Sequence, residues 1–586
     1  MKENCTTHDF SKPFDQKTLK KMSISELNLL SVEMRNLIII KCSIFGGHLS
    51  SNLGIVPLTI ALYRYYSFPK DKIFFDVSHQ TYSYKILTGR PLNNLREENG
   101  IDGFSKINES KYDAYNAGHS STALSTAMGY AISRDLNKEK YEIITVIGDG
   151  SLGNGLSLEA LNNLYNFNHR IIIIINDNKM SISKTNGLIS KLLTKYETNN
   201  HNENIKFIDL DIGCFYKKPL DGEDFNELLK AFEDIKNINS PIFLYVRTIK
   251  GKGYPFAESD TTGKWHHTLP FNVETGKPLN LNKNNNLDSY SNIYTNLLLK
   301  TMKSNNKLLA ITPATTYNEN LLKIKKEHPN RFFDVGISEE HSLVFANGLA
   351  LNSYHPYVFI YSTFLQRGYD EILHDICNAN KQVTLMVGHS GLIGSDGETH
   401  QGIYDASFLM GMPNICISMA NDYPTLIRLF NFSLTYKYPL VIRYPFDLVK
   451  INNTNNNLPP LVYLEWNKIK EEQTKEICVI SYGPKINEIN KKINGITLVN
   501  AIFTYPINID YLRTLLDYKN IVIYDPYSTI SGFTIHLEDA LLSLNYKGKI
   551  TKCSIPNEFV TKGTIEEQEK RMKVDILSLQ DIINKL

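Results

Sequence analysis

The sequence predicts an α/β protein of three successive α/β domains with mainly parallel sheets, and three observations carry that prediction. Apolar β-like runs alternate with helical patterns along the chain. One stretch reads as a parallel βαβ unit, with Ile143 to Ile147 a buried strand, Ser157 to Tyr165 a helix, and Ile171 to Ile175 a second strand apolar at every position. Two polar stretches without periodicity, Lys277 to Ser291 and the asparagine-rich run Ile451 to Pro460, read as linkers. They bound domains at 1–276, 292–450 and 461–586.

In the middle piece the expected strands are Lys307 to Thr312, Val383 to Val387 and Leu440 to Arg443; in the last they are Ile477 to Ser481 and Ile521 to Tyr524. The chain has 586 residues, 42% hydrophobic and 21% charged, the composition of an ordinary globular protein with room for several domains. A net charge of +2 argues against a general binder of nucleic acid. The seven cysteines form no Cys-x-x-Cys pair, so a reducing compartment is the simpler reading. The most apolar early stretch, Leu37 to Ile40, is far too short for a signal core or a membrane span. The expectation is a cytoplasmic protein with no membrane and no nucleic-acid partner.

The βαβ unit also suggests chemistry. Gly148-Asp149-Gly150 and Asn176-Asp177-Asn178 both begin where a strand is expected to stop, the end at which such sheets bind ligands. Asp149 offers a hard carboxylate oxygen and Asn178 a neutral amide oxygen. Magnesium keeps few protein ligands and completes an octahedron with phosphate oxygens, so this pair plus one backbone carbonyl suits a magnesium diphosphate. A lone Gly-Asp-Gly is also an ordinary turn. The second tripeptide, a helix and a strand later, decides against that.

Asn178-Lys179-Met180-Ser181-Ile182-Ser183 narrows the reading, and ordered matches continue through Gly47-His48-Leu49-Ser50-Ser51, Phe75-Asp76-Val77-Ser78-His79-Gln80, Lys85-Ile86-Leu87-Thr88-Gly89-Arg90 and Gly118-His119-Ser120-Ser121-Thr122. Further along come Ser338-Glu339-Glu340-His341, Tyr361-Ser362-Thr363-Phe364-Leu365-Gln366-Arg367, Ser395-Asp396-Gly397-Glu398-Thr399-His400-Gln401-Gly402 and Arg443-Tyr444-Pro445. Over nearly its whole length the chain resembles the 1-deoxy-D-xylulose-5-phosphate synthases, relatives of transketolase. The resemblance implies a diphosphate domain, a pyrimidine domain and a C-terminal domain, thiamine diphosphate and Mg2+ as cofactors, and a homodimer. It implies decarboxylation of pyruvate and transfer of the two-carbon unit to D-glyceraldehyde 3-phosphate.

Site residues carry over position by position. Asp149, Asn178 and Met180 match the metal ligands. Glu339 matches the carboxylate beside the pyrimidine, and Phe364 the aromatic that stacks on it. Taken out of water, a carboxyl has its pKa raised, which suits proton sharing with a ring nitrogen. His79, Gly118, His119, Ser120, Gly150, Ser151, Asn178 and Tyr254 complete the expected cofactor set. His48, His79 and His400 would face the reacting carbon, joined by His266 or His267, between which spacing does not choose. Imidazole both donates and accepts protons near pH 7. Tyr361, Arg367, His389, Asp396 and Arg443 would meet the acceptor.

Several positions depart from the pattern. Gly388-His389-Ser390-Gly391 stands where the family has Asp-Arg-Ala-Gly, so one phosphate-binding arginine becomes His389. Pro57 replaces a Glu, Ser78 a Gly and Phe446 a basic residue, and the loop Lys184 to Lys206 is short. These changes are expected around the acceptor end. They leave two alternatives to the synthase: a divergent paralogue using another aldehyde, and a non-catalytic cofactor-binding partner.

Overall fold

Three larger sheets, each predominantly parallel, organise the chain, and Phe503–Tyr505 of the last expected piece completes the sheet of the middle one. The structure is a computed structural model and describes residues 8–180, 187–198, 213–216, 218–279, 286–451 and 459–586. The chain forms two compact units, one made of 1–282 with Gly336–Ser338, the other of Lys283–Val335 with Glu339–Leu586.

The first unit is built on β1 (Lys72–Phe75), β2 (Ile143–Gly148), β3 (Ile172–Asp177), β4 (Cys214–Phe215), β5 (Leu220–Asp221) and β6 (Ile242–Arg247). They run parallel in the order β1-β2-β3-β6-β4, with β5 also on β6. Every residue of β3 is buried, as a sheet covered by helices on both faces requires. The βαβ unit is present with two adjustments. β3 extends through Asn176 and Asp177, so that tripeptide straddles the strand end. The helix is Gly155–Asn163, because the Asn154 side chain caps it by accepting from Leu156 N.

The second unit carries β7 (Leu287–Ser289), β8 (Leu308–Thr312), β9 (Phe332–Asp334), β10 (His355–Tyr361), β11 (Thr384–Gly388), β12 (Cys416–Met419), β13 (Leu440–Arg443), β14 (Leu448–Lys450), β15 (Trp466–Lys470), β16 (Ile477–Ser481), β17 (Thr497–Ala501), β18 (Phe503–Tyr505), β19 (Asn520–Thr529) and β20 (Lys549–Ile555). One sheet runs β18-β12-β13-β11-β10-β8-β9, parallel except at β18. Another runs β15-β17-β16-β19-β20, parallel except at β15. The strands expected in both pieces are present with small shifts at their ends. One expected linker is corrected. Leu287–Ser289 pairs antiparallel with Leu448–Lys450, and Ser289 caps the helix Tyr290–Met302. Residues 280–285, 452–458, 181–186 and 199–206 lie outside the described set, and with them Ser181, Ile182, Ser183, most of the asparagine-rich run and both ends of the expected loop Lys184 to Lys206, whose middle is instead the helix Leu188–Thr198. Among the described residues no helix is long and apolar enough to cross a membrane.

Candidate active site

Four imidazoles meet in the first unit because glycine lets two distant segments touch. The helix Ile24–Phe45 ends at Gly46, with Gly46 and Gly47 at φ of +71° and +128°. A Cβ on Gly46 would stand 2.6 Å from the Thr268 carbonyl oxygen. Without it, Gly47 and Thr268 exchange backbone hydrogen bonds of 2.9 and 2.8 Å. His48 then lies 5.2 Å from His79, 5.4 Å from His266 and 4.9 Å from His267, centroid to centroid. His79 is 5.0 Å from His266. Both members of the ambiguous pair are therefore brought to the cluster.

Asn52, which the sequence did not single out, fixes two of these rings. Fully buried, its amide donates to the backbone carbonyls of His48 (2.6 Å) and His79 (2.7 Å) and accepts from Tyr82 N (2.8 Å). Phe104 packs on His48 at 5.6 Å. The adjoining loop is anchored by the bidentate Arg90–Asp113 pair, 2.8 and 2.9 Å, and by buried Lys85 on Glu109 at 2.7 Å. Burial pushes the His48 imidazole well below its ordinary value, helped by His267, His79 and His266. His266 is likewise pushed down by burial and then by Lys250.

Around β2 the loops interlock. The Asp76 carboxylate accepts from Ser121 N (2.8 Å) and Ala123 N (3.2 Å), and Ser121 Oγ donates to Ser151 O (3.0 Å). This ties the Gly118-His119-Ser120 turn to Gly150 and Ser151. Asp149, 6% exposed, opens the short helix Asp149–Leu152. Asn178 Oδ1 accepts from Met180 N at 3.1 Å. A second residue missed in the sequence is Lys250, buried after β6, whose ammonium burial pushes down to about 8 against the opposing pull of Asp149 and Asp260. Gly251 and Gly253 follow it, at φ of +80° and +87°. Tyr254 does not join the cluster: its ring packs on Trp265 and Phe271 and its hydroxyl donates to Val273 O at 2.9 Å.

In the second unit Glu339 begins the helix Glu339–Leu351 and is 4% exposed, although the approach 334–338 is only half-buried. Burial pushes its carboxyl up to about 7, with Arg367, 3.9 Å from Oε2, pulling the other way. Phe364 stacks on Tyr361 at 5.5 Å and meets the edge of His400 at 5.7 Å. Tyr361 contacts His389 at 3.7 Å, and Asp396 acts on the Tyr361 phenol. Arg443 points inward instead. Only 1% exposed, it makes a bidentate pair with Asp405 (2.7 and 2.9 Å) and donates to Tyr527 O (2.9 Å).

The departures divide between the two units. Of the three outside the His389 turn, Phe446 stacks on His389 at 4.7 Å. Ser78 and Pro57 belong to the first unit: Ser78 adjoins His79, and Pro57 opens the buried helix Val56–Tyr65. Ser78 has φ +65°, a conformation that favours glycine, and its hydroxyl accepts from Ser105 N at 2.7 Å.

The first unit gathers imidazoles and the second buries a carboxyl at the start of a helix; similarity to known proteins makes the chain a transketolase-type transferase. The pyrimidine-binding domain of transketolase matches residues 289–450, and the 1-deoxy-D-xylulose-5-phosphate synthase model matches residues 11–212. The 1-deoxy-D-xylulose-5-phosphate synthases of Clostridium acetobutylicum and Macrococcus caseolyticus are each 37% identical, covering 96% and 95% of this chain and 97% and 95% of their own. The chain belongs to the 1-deoxy-D-xylulose-5-phosphate synthase family. A solved transketolase from Campylobacter jejuni is 18% identical over 96% of this chain and all of its own, with a TM-score of 0.43, too loose a likeness to add to that assignment.

Proposed function

We propose that the protein joins a two-carbon unit from pyruvate to D-glyceraldehyde 3-phosphate, releasing carbon dioxide and 1-deoxy-D-xylulose 5-phosphate, with thiamine diphosphate and Mg2+ as cofactors. One observation carries the cofactor reading: Glu339 Oε2 is buried yet makes no hydrogen bond among the described residues. A buried carboxyl oxygen without a hydrogen-bond donor costs about 1–3 kcal/mol, which a protonated ring nitrogen would offset. The donor set of the first unit fits a magnesium diphosphate, with Asp149, the Asn178 amide and the Met180 carbonyl for the metal. Gly118, His119, Ser120, Gly150, Ser151 and Lys250 would hold the diphosphate. When bound, the thiazolium takes up the electron pair left as carbon dioxide departs.

The chain's own residues supply the rest. Glu339, held near neutral pH, shares a proton with the pyrimidine edge. His48 and His266, kept neutral by burial, accept protons at their Nδ1 atoms, which make no hydrogen bond among the described residues. By the resemblance, His79, His267 and His400 would act on the reacting carbon, and Tyr361, Arg367, Asp396 and His389 would meet the acceptor. Three domains, a homodimer and a cytoplasmic location belong to the same reading. The test is the purified protein with pyruvate and a panel of phosphorylated and unphosphorylated aldehydes, products identified by mass. Formation of 1-deoxy-D-xylulose 5-phosphate, lost in Asp149→Ala, supports the reading; pyruvate left unconsumed with every aldehyde overturns it.

A further inference from the structure

At the carboxyl ends of β10, β11 and β13 a row of rings runs from His400 through Phe364, Tyr361 and His389 to Phe446. Behind it lies a carboxyl that the reaction has not used. Glu319 is 1% exposed; its Oε2 accepts from the Tyr444 hydroxyl at 2.7 Å, and its Oε1 is 4.0 Å from His389 Nδ1. Gly388 makes the approach possible. A Cβ there would stand 2.7 Å from Glu319 Oε1 and 3.0 Å from the Tyr444 ring. The Glu319 backbone is fixed as well, its carbonyl accepting from Thr295 Oγ1 at 3.0 Å. The His389 side chain retains 19% of its exposure, so a ligand can reach the imidazole but not the carboxyl behind it. Arg443 cannot substitute while its guanidinium is paired with Asp405.

We propose that Glu319 is a specificity-determining residue acting through His389, so that the grip on the acceptor phosphate depends on the protonation of the pair. The proposal rests on the reaction above, in which His389 stands at that phosphate. Fully protonated, the pair carries one positive charge; one proton lost makes it neutral and a second makes it negative. Burial pushes the Glu319 carboxyl up to about 7, with the Tyr444 hydroxyl opposing, and imidazole titrates in the same range. Groups 4.0 Å apart titrate as a pair rather than singly. A phosphate monoester is mostly a dianion above about pH 6. Attraction thus turns to repulsion as pH rises, which an arginine at position 389 would prevent.

The other titratable groups facing the pair do not replace this switch. Tyr444 from the β13 side and Tyr361 from β10 are both pushed far above the ordinary tyrosine range, by burial first and Glu319 second, and stay uncharged. Tyr294, behind Tyr444, is raised by burial in the same way. Asp396 acts on Tyr361 and adds negative charge, in the same sense as ionised Glu319.

The test measures kcat and KM for pyruvate, glyceraldehyde 3-phosphate and unphosphorylated glyceraldehyde from pH 6.5 to 8.5 in the parent, Glu319→Gln and His389→Arg. Expected is a rise of about tenfold in the KM for the phosphorylated acceptor, the scale of one charge-assisted hydrogen bond, with the other two KM values within about twofold. Glu319→Gln should flatten the rise and bring KM at pH 8.5 below the parent's. His389→Arg should flatten it independently, which guards against one variant failing to fold. Parallel pH profiles for the two acceptors, or a parent-like profile in both variants, overturn the inference while product formation leaves the reaction standing. Absence of product with glyceraldehyde 3-phosphate at every pH overturns the reaction and the inference together.

Discussion

Replacing Glu339 by Gln should make the protein more stable while disabling it, and the size of the effect follows from burial. The carboxyl is raised from 4.5 to about 7 in the folded chain, chiefly by desolvation. At about 1.4 kcal/mol per pKa unit, holding it ionised in the fold costs roughly 3 kcal/mol. The folded state binds this proton more tightly than the unfolded one. Its favourable contribution is therefore complete below pH 4.5 and is lost as pH rises through about 7. Glutamine has the same shape and no charge, so Glu339→Gln should be close to neutral at pH 5 and stabilising by roughly 3 kcal/mol at pH 8. Thermal unfolding of parent and variant without added cofactor, at both pH values, reads the difference directly. Exchange of the C2 proton of thiamine diphosphate, followed by NMR in heavy water, should slow by orders of magnitude in the same variant. An identical shift in unfolding temperature at pH 5 and pH 8 would refute the reasoning.

Two further outcomes follow from the hydrogen bonding. Asn52→Ala removes the amide shared by the His48 and His79 carbonyls, leaving buried acceptors unpaired; stability should fall by about 1–3 kcal/mol and kcat by tenfold or more, while Asn52→Asp should not rescue because it cannot donate when ionised. Arg443→Met leaves Asp405 buried and unpaired, so unfolding should be easier by about 3–5 kcal/mol, and adding Asp405→Leu should recover much of that loss; a variant that keeps its stability and loses only acceptor affinity would show instead that the guanidinium serves the substrate.

What the sequence made legible was local. Five consecutive isoleucines, Ile171 to Ile175, leave little choice but a strand covered on both faces, and the turn residues after it mark the ligand end. What it hid depends on segments far apart in the chain. Nothing around Asn52 announces that its amide bridges two histidine carbonyls, and the Gly47–Thr268 pairing that seats His266 and His267 spans most of the first unit. Arg443 sits in the expected motif, yet its direction was set by Asp405, a residue with no motif of its own. Glu319 was silent for the same reason. Ser78 shows the converse: a position that favours glycine because of its φ tolerates serine once the hydroxyl gains a backbone partner.

The electrostatics of the two units have a common logic. Imidazoles packed within about five ångströms of one another would repel if protonated; burial holds both His48 and His266 in the neutral form, helped by the other imidazoles and, for His266, by Lys250. In the second unit burial does the opposite to Glu339, keeping its proton until near pH 7. Each side thus suppresses its own charge before a ligand arrives. A cationic ring beside neutral imidazoles meets acceptors rather than like charges, and a nitrogen beside a half-protonated carboxyl can receive a proton with little driving force lost in either direction. In the reaction proposed above, the unfavourable desolvation visible in these shifts would be the folded chain's contribution to proton transfer.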